Sequence, residues 1–338
     1  MSMNRRALLG AAALSSALPS LAVPALAQGN AAGNWPSRPL RLVVPYPPGG
    51  AVDLTGRILA ERLQPLLGQS VVVDNRGGAG GNVGADYVAR SEKDGYTMMM
   101  APNSLMAANR HLYRRSMPLE PLRDLTGVTR VIAGTVLMVV NSSKPWRSFG
   151  DVIEAARRDP GKLTMGSSGS GTMGHITISA ISKATGVEIT HAPYRGGAPA
   201  ISDLLAGNID IMFDAIPELV PYVREGRFRP MAVGSAERIT YVPGLGEVPG
   251  MGELLPNAGL DMQSWMGVVV PTGMPRPVIE RLHGALVRIA RSDDFRTRME
   301  PQGYASAWDE TLESFNAFMR EQDVLWKRLV EASGATLD

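Results

Sequence analysis

Twice in this chain a short apolar run ends in a Pro-Tyr turn and a glycine pair that opens a helical pattern. The two stretches are Pro45-Tyr46-Pro47-Pro48-Gly49-Gly50 and Pro193-Tyr194-Arg195-Gly196-Gly197. Glycines placed after a strand let backbone N–H groups approach a ligand closely, and the helix behind them adds its positive dipole end, a combination suited to an anion. A third loop lies between the two, Ser167-Ser168-Gly169-Ser170-Gly171-Thr172, rich in hydroxyls and unhindered amides. Such a set suits a carboxylate or a phosphate. The alternative for this loop is plainer: its Ser and Thr side chains cap the helix that follows.

Other chemistry finds little support. The absence of cysteine removes disulfides, thiol catalysis and thiolate metal sites. His111, His175, His191 and His283 lie far apart without H-x-x-x-H or H-E-x-x-H spacing, so no metal is expected, and His175 reads as a packed or capping residue. No serine is centred in G-x-S-x-G and no G-x-x-x-x-G-K-[ST] occurs, so no catalytic residue is expected. Gly169-Ser170-Gly171-Thr172-Met173-Gly174 does match the dinucleotide fingerprint G-x-G-x-x-G. A dinucleotide site wants an acid at the end of the next strand, whereas here that strand ends in His191-Ala192-Pro193 and Glu188 sits near its start, so no cofactor is expected. Asp53, just after Gly49-Gly50, either complements the helix dipole or braces the loop. Arg76 and Arg195 flank glycine loops, and each is open between ligand contact and an ordinary surface role.

The elements that must position these loops alternate. Leu40 to Tyr46 reads as a strand covered on both faces, followed by a helix from Asp53 to Gly68, a strand at Ser70 to Asp74, a glycine-rich loop from Gly77 to Gly84 and a strand at Tyr96 to Ala101. A second series runs from Val136 to Ser235, with helices near Phe149 to Arg158, Thr172 to Thr185 and Ala198 to Ala206. Alternation of this kind predicts α/β architecture with largely parallel sheets. After a Gly/Pro-rich passage, an apolar run at Trp265 to Val270 and two amphipathic helices are expected to pack back onto the first unit, leaving two crossing strands near Leu137 to Asn141 and Trp265 to Val270.

The first residues have a different purpose. Arg5-Arg6, an apolar stretch from Ala7 and the small-residue pattern Ala25-Leu26-Ala27 predict a cleaved signal peptide over residues 1–27 and export to the periplasm; the twin arginines leave the Sec and Tat routes open. Removing that segment takes Lys plus Arg from 34 to 32 against 32 acids, so the mature chain is near neutral and carries no nucleic-acid or membrane footprint. No mature segment has the length and apolarity to span a bilayer.

Together these segments resemble the Bug family, the extracytoplasmic solute receptors of tripartite tricarboxylate transporters. The likeness rests on Val44 to Gly50 with Asp53 and Arg57, Asp74-Asn75-Arg76 with Gly78 to Gly84, Asp159 to Leu163, Ser167 to Thr172 with His175, His191 to Ala200, Asp203 to Gly207, Asp210 and Asp214. It implies a type II periplasmic-binding-protein fold, two doubly wound α/β lobes joined by two crossing strands, with lobe 1 at 37–136 plus 266–338 and lobe 2 at 137–265. Tyr46, Pro47, Pro48, Gly49 and Gly50 would line one wall, Ser167, Ser168, Gly169, Gly171 and Thr172 the other, and Tyr194 and Asp214 would complete the cleft. The implied protein is a monomeric receptor that closes on a small organic carboxylate and delivers it to the transporter's membrane subunits. A periplasmic sensor feeding a signalling system is the alternative reading, and a dinucleotide-dependent enzyme a more distant one. One departure is visible: Gly250, in Val248-Pro249-Gly250-Met251-Gly252-Glu253, stands where the family usually has threonine.

Overall fold

The computed structural model describes residues 34–170 and 172–337, so the expected signal peptide and the expected site residue Gly171 lie outside the described residues. Ten strands are present among the described residues: β1 (Leu40–Val44), β2 (Val71–Asn75), β3 (Thr97–Pro102), β4 (Leu125–Asn141), β5 (Thr164–Ser167), β6 (Thr190–Pro193), β7 (Ile211–Ala215), β8 (Phe228–Val233), β9 (Gln263–Pro271) and β10 (Ala305–Ser306). They form one curled path, β2-β1-β3-β9-β4-β7-β5-β6, with β8 and β10 also paired to β4.

Strand β4 is the spine. Its first part, Leu125 to Thr135, pairs antiparallel with β9; its second, Val136 to Asn141, pairs antiparallel with β7 and β8. Sequence patterning predicts a strand only over the last six residues, because the earlier part mixes threonines, an arginine and glycines with its apolar residues. The structure shows why these are tolerated: Gly127 lies against Phe315 and Met319, Gly134 against Tyr304, and any side chain there would collide. The return crossing also differs from expectation, for all of β9 belongs to the first sheet. The chain crosses back just before it, where Met262 N–H donates to Gly234 O (2.8 Å) and Thr135 Oγ1 donates to Met262 O (2.9 Å).

Each sheet is covered on both faces. In the first lobe, helix Ala51–Leu67 presents Leu59 and Leu63, and helix Arg276–Ala290 presents Leu282 and Leu286, to one side of β1, β3 and β9. Helix Asn82–Ala89 covers the other side. In the second lobe, helices Phe149–Arg158 and Met173–Thr185 share a core with Met138, Val140 and Phe213, and helices Gly197–Ala206 and Ile216–Arg224 share one with Leu137, Val139 and Met212. Burying such apolar stripes is the main stabilising term of both lobes.

The final helix, Leu312–Ser333, departs from the expectation that the C-terminal helices pack only on the first lobe. Phe315 and Met319 join Trp265 in the first lobe, but Trp326, Leu329 and Val330, further along the same stripe, join Ile176 and Ile181 of the second. At 22 residues the helix is long enough, at about 1.5 Å per residue, to reach across both.

The return loop holding Gly250 has a close-packed reason for its glycine. A Cβ there would lie 2.5 Å from Ala236 O and 2.7 Å from Glu237 C, while Glu253 accepts the Gly250 N–H (3.1 Å).

Candidate functional site

Strand direction determines where the loops go. β1 and β3 run parallel, and Pro102 at the end of β3 lies beside Met266 near the start of β9; Thr135 of β4 lies beside Gln263. On the other side Ala215, the last residue of β7, lies beside Val136, and β5 runs parallel to β7 toward Ser167. The carboxyl ends of the parallel strands in both lobes therefore point at one waist, Thr135–Val136. In open α/β sheets this is the end at which ligands bind.

The first-lobe loop is braced from beneath. Gly49 takes φ +92°, a backbone state costly for a side chain, and its N–H donates to Asp53 Oδ2 (2.9 Å). Asp53 is 2% exposed and also accepts from Arg57 Nε and Asn75 Nδ2, both at 2.9 Å; Asn75 donates as well to Tyr46 O (3.0 Å). Burial raises the Asp53 carboxyl pKa, but the hydrogen bonds from Arg57, Gly49 and Asn75 outweigh it and leave the group below its usual value. Asp53 thus supports the loop from within the protein.

Tyr46, Pro47, Pro48 and Gly50 line a hollow of about 450 Å³ with Ala51, Val52, Pro102, Asn103, Ser104 and Ser264. No charged side chain is among them. The Tyr46 hydroxyl donates to Gly80 O (3.1 Å) and meets Ser104 Oγ (3.3 Å), and burial pushes its pKa up. Asn103, Ser104 and Ser264 were not singled out by sequence. A π-helical turn, Ser104–Ala108, follows Asn103, and the available signal was a polar Asn-Ser pair directly after a buried strand.

The second-lobe loop folds mostly onto itself. Ser168 N–H donates to Asp214 Oδ2 (3.1 Å), Gly169 N–H to Ser167 Oγ (3.3 Å), and Thr172 Oγ1 to Gly169 O (2.7 Å). Gly169 takes φ +146°, leaving room for Tyr194 O, which a Cβ would approach to 3.2 Å. Burial raises the Asp214 pKa, partly offset by the hydrogen bonds from Ala215 and Ser168. Tyr194 joins through its backbone, donating N–H to Ser167 O (3.0 Å), while its hydroxyl turns to Asp203 Oδ2 (2.7 Å). The structure thus gathers Ser167, Ser168, Gly169, Thr172, Tyr194 and Asp214 into one cluster, and Tyr46 to Gly50 into another. The Ser167–Asp214 cluster of the second lobe does not line the 450 Å³ hollow, whereas Tyr46, Pro47, Pro48 and Gly50 of the first do; the two clusters are related by the shared waist.

At three further glycine segments, close packing within the chain accounts for the glycines. The second glycine pair leads helix Gly197–Ala206, but a Cβ on Gly197 would lie 1.7 Å from Glu218 Oε2, so the chain's own carboxylate sits at that helix start. Arg76 pairs with Asp74 (2.9 Å) and stacks on Tyr87, and Gly84 packs against Arg76 O and Pro45, which makes the glycine-rich loop a tight turn. In the dinucleotide-like stretch, Gly174 lets its helix press onto Phe213 O, where a Cβ would come within 2.0 Å. A larger groove, about 930 Å³, lies at the amino ends of β1 and β3, away from the waist, and its Arg38, Arg41 and Arg90 are all ion-paired.

Two α/β lobes, a β4 spine and loops converging on a waist define a two-lobed solute-binding protein. Residues 55–335 match the tripartite tricarboxylate transporter family receptor, and the chain belongs to that family. It is 31% identical to Protein BugT of Bordetella pertussis over 99% of this chain and 100% of that one. Among solved structures it is similar to R. palustris Rpa4515 with adipate (33% identity, TM-score 0.74, covering 90% of this chain and 100% of that one). It is also similar to a TctC solute binding protein from Polaromonas (28% identity, TM-score 0.77, covering 88% and 99%). The fold and family expected from sequence are those found.

Proposed function

We propose that this protein is a periplasmic receptor that captures a small organic carboxylate between its two lobes, divided at Thr135–Val136 and just after Met262, and presents it to the membrane subunits of a tripartite transporter. The observation that carries this reading is the convergence of the strand carboxyl ends of both lobes on Thr135–Val136, with the Tyr46–Gly50 and Ser167–Thr172 loops on either side. A ligand that touches both walls only when they approach will favour the closed form by its differential contacts, and the membrane partner then reads that form.

The hollow beside Tyr46 supports a ligand class. Prolines, Val52 and Ala51 supply apolar surface, Asn103, Ser104 and Ser264 supply neutral hydrogen-bonding groups, and no cation is present there. Such a pocket accepts the hydrocarbon segment of a mono- or dicarboxylate more readily than the third charge of a citrate-like acid. A carboxylate carrying a methylene chain or ring fits; adipate, bound by the R. palustris relative, is of this kind.

Calorimetry and thermal unfolding with adipate, benzoate, citrate and ATP test the proposal. At a hundredfold excess over Kd, adipate or benzoate should stabilise the fold by about 2.7 kcal/mol, with little effect from citrate. Stabilisation by ATP alone would overturn the receptor reading. Ser168→Trp should abolish carboxylate binding with the fold retained, and unchanged binding would remove Ser168 from the site.

A further inference from the structure

We infer that His191 and His175 are positioning residues for the second-lobe binding loop: a stacked imidazole pair that holds Ser167, and through it the Ser168–Gly169 turn, in the shape that receives solute. This inference rests on the receptor reading and names a device within that same site. Ser167 is fully buried, and its Oγ lies 2.7 Å from His191 Nε2. The same oxygen accepts the Gly169 N–H and lies 3.1 Å from Gly169 O, while Ser167 O accepts the Tyr194 N–H. One hydroxyl therefore ties the turn to itself and to β6. Its orientation is set by an imidazole on the strand next door.

That imidazole is fixed in turn. His175 stands in the first turn of helix Met173–Thr185, and its ring lies flat on His191, with centroids 4.1 Å apart and planes 7° from parallel. Parallel imidazoles at this spacing are stable when neutral and repel when both carry charge. The groups against His191 from the packed elements are His175 from the helix and Ser167 and the neutral Met165 from β5; Asp214 lies across the turn, bonded to Ser168. Among the described residues, no carboxylate is in hydrogen-bond or ring contact with His191. Burial, then the neighbouring His175, holds the His191 pKa down to about 4, and burial lowers that of His175. At neutral pH both rings are uncharged, and acid works against the arrangement.

Three variants separate positioning from bulk packing. His191→Gln keeps a hydrogen-bonding atom near the Nε2 position without titrating, His191→Phe keeps a flat ring without the bond, and Ser167→Ala removes the partner. With adipate as probe, His191→Phe should weaken binding about tenfold at pH 7.5, as expected for one well-placed hydrogen bond, and His191→Gln should restore most of it. Wild-type affinity should fall between about pH 5 and 3.5, the range in which His191 gains its proton, by a larger factor than that of His191→Gln. A His191→Phe protein with the wild-type unfolding temperature and wild-type affinity would overturn the inference, as would a pH profile identical in wild type and His191→Gln.

A ligand-free measurement keeps the inference separate from the receptor reading. Hydrogen exchange at the Ser168, Gly169 and Tyr194 amides should speed up about tenfold in His191→Phe and in Ser167→Ala, and stay near wild type in His191→Gln. Unaltered exchange in His191→Phe would overturn the positioning role even if adipate binds. Failure of every carboxylate to bind, with exchange behaving as expected, would remove the receptor reading and leave the His191–Ser167 brace standing.

Discussion

The two Pro-Tyr/Gly-Gly loops look alike in sequence and are held in opposite ways. At Gly49-Gly50 the supporting acid, Asp53, is four residues on, is buried, accepts from three donors and has its pKa lowered by them. At Gly196-Gly197 the acid is Glu218, from the next helix but one strand away in sequence. Among the described residues no hydrogen bond reaches its carboxylate, and burial together with the nearby Asp214 raises its pKa. The same local pattern can thus mark a loop preset by its own acid, or a helix start against which a distant carboxylate merely rests. What separates the two is the donor set around the carboxylate, not the glycines.

Breaking the first support should have the larger effect. Asp53→Ala strands the Gly49 N–H and the Asn75 amide, and should cost about 2–3 kcal/mol in urea unfolding along with most ligand affinity. Asp53→Asn sharpens this through pH. Because the folded-state pKa is depressed, the carboxylate's contribution is present above the unfolded value, near 4, and is lost as pH falls through the folded one, so the gap between wild type and variant should close on acidification. Glu218 carries the opposite sign: its raised pKa makes ionisation unfavourable to the fold, so any contribution to stability diminishes as pH rises through it. A Glu218→Gln protein that lost stability at neutral pH as Asp53→Asn does would erase the distinction.

The next effect is at Gly197. Gly197→Ala must push the Glu218 carboxylate aside, a movement of a flexible side-chain end, and should cost about 1 kcal/mol, recovered in the Gly197→Ala/Glu218→Ala double variant. If the double variant is no better than the single, Glu218 is not what the new methyl meets. The smallest effect belongs to Gly50, which has φ −79° and open space around its Cα; Gly50→Ala should lie within about 0.5 kcal/mol of wild type by the same urea assay.

Much of this arrangement was legible in the chain. Apolar runs mark β1, β3 and β7 because covered strands in a largely parallel sheet have few polar residues, and helix Ala51–Leu67 is readable from Leu59 and Leu63 with the stop at Gly68. Gly-Ser composition drew attention to Ser167–Thr172, yet the number of amides left for a ligand was not readable. Ser168 and Gly169 give theirs to Asp214 and Ser167, and such pairings depend on how strands far apart in sequence line up. Asn103, Ser104 and Ser264 escaped notice for the same reason: their hollow exists only once β3 and β9 are side by side. His191 offered a signal in hindsight, a polar ring between strand residues where an alternating apolar side chain would otherwise face the helix.

The helix from Leu312 to Ser333 makes the molecule a three-strut frame. The other two connections between the halves are strand β4 and the single return of the chain at Met262. One rod is anchored in both halves, by Trp326, Leu329 and Val330 in the second and by Phe315 and Met319 in the first. Any approach of the two walls would therefore have to repack a single helical seam, at a cost met far from the guest itself.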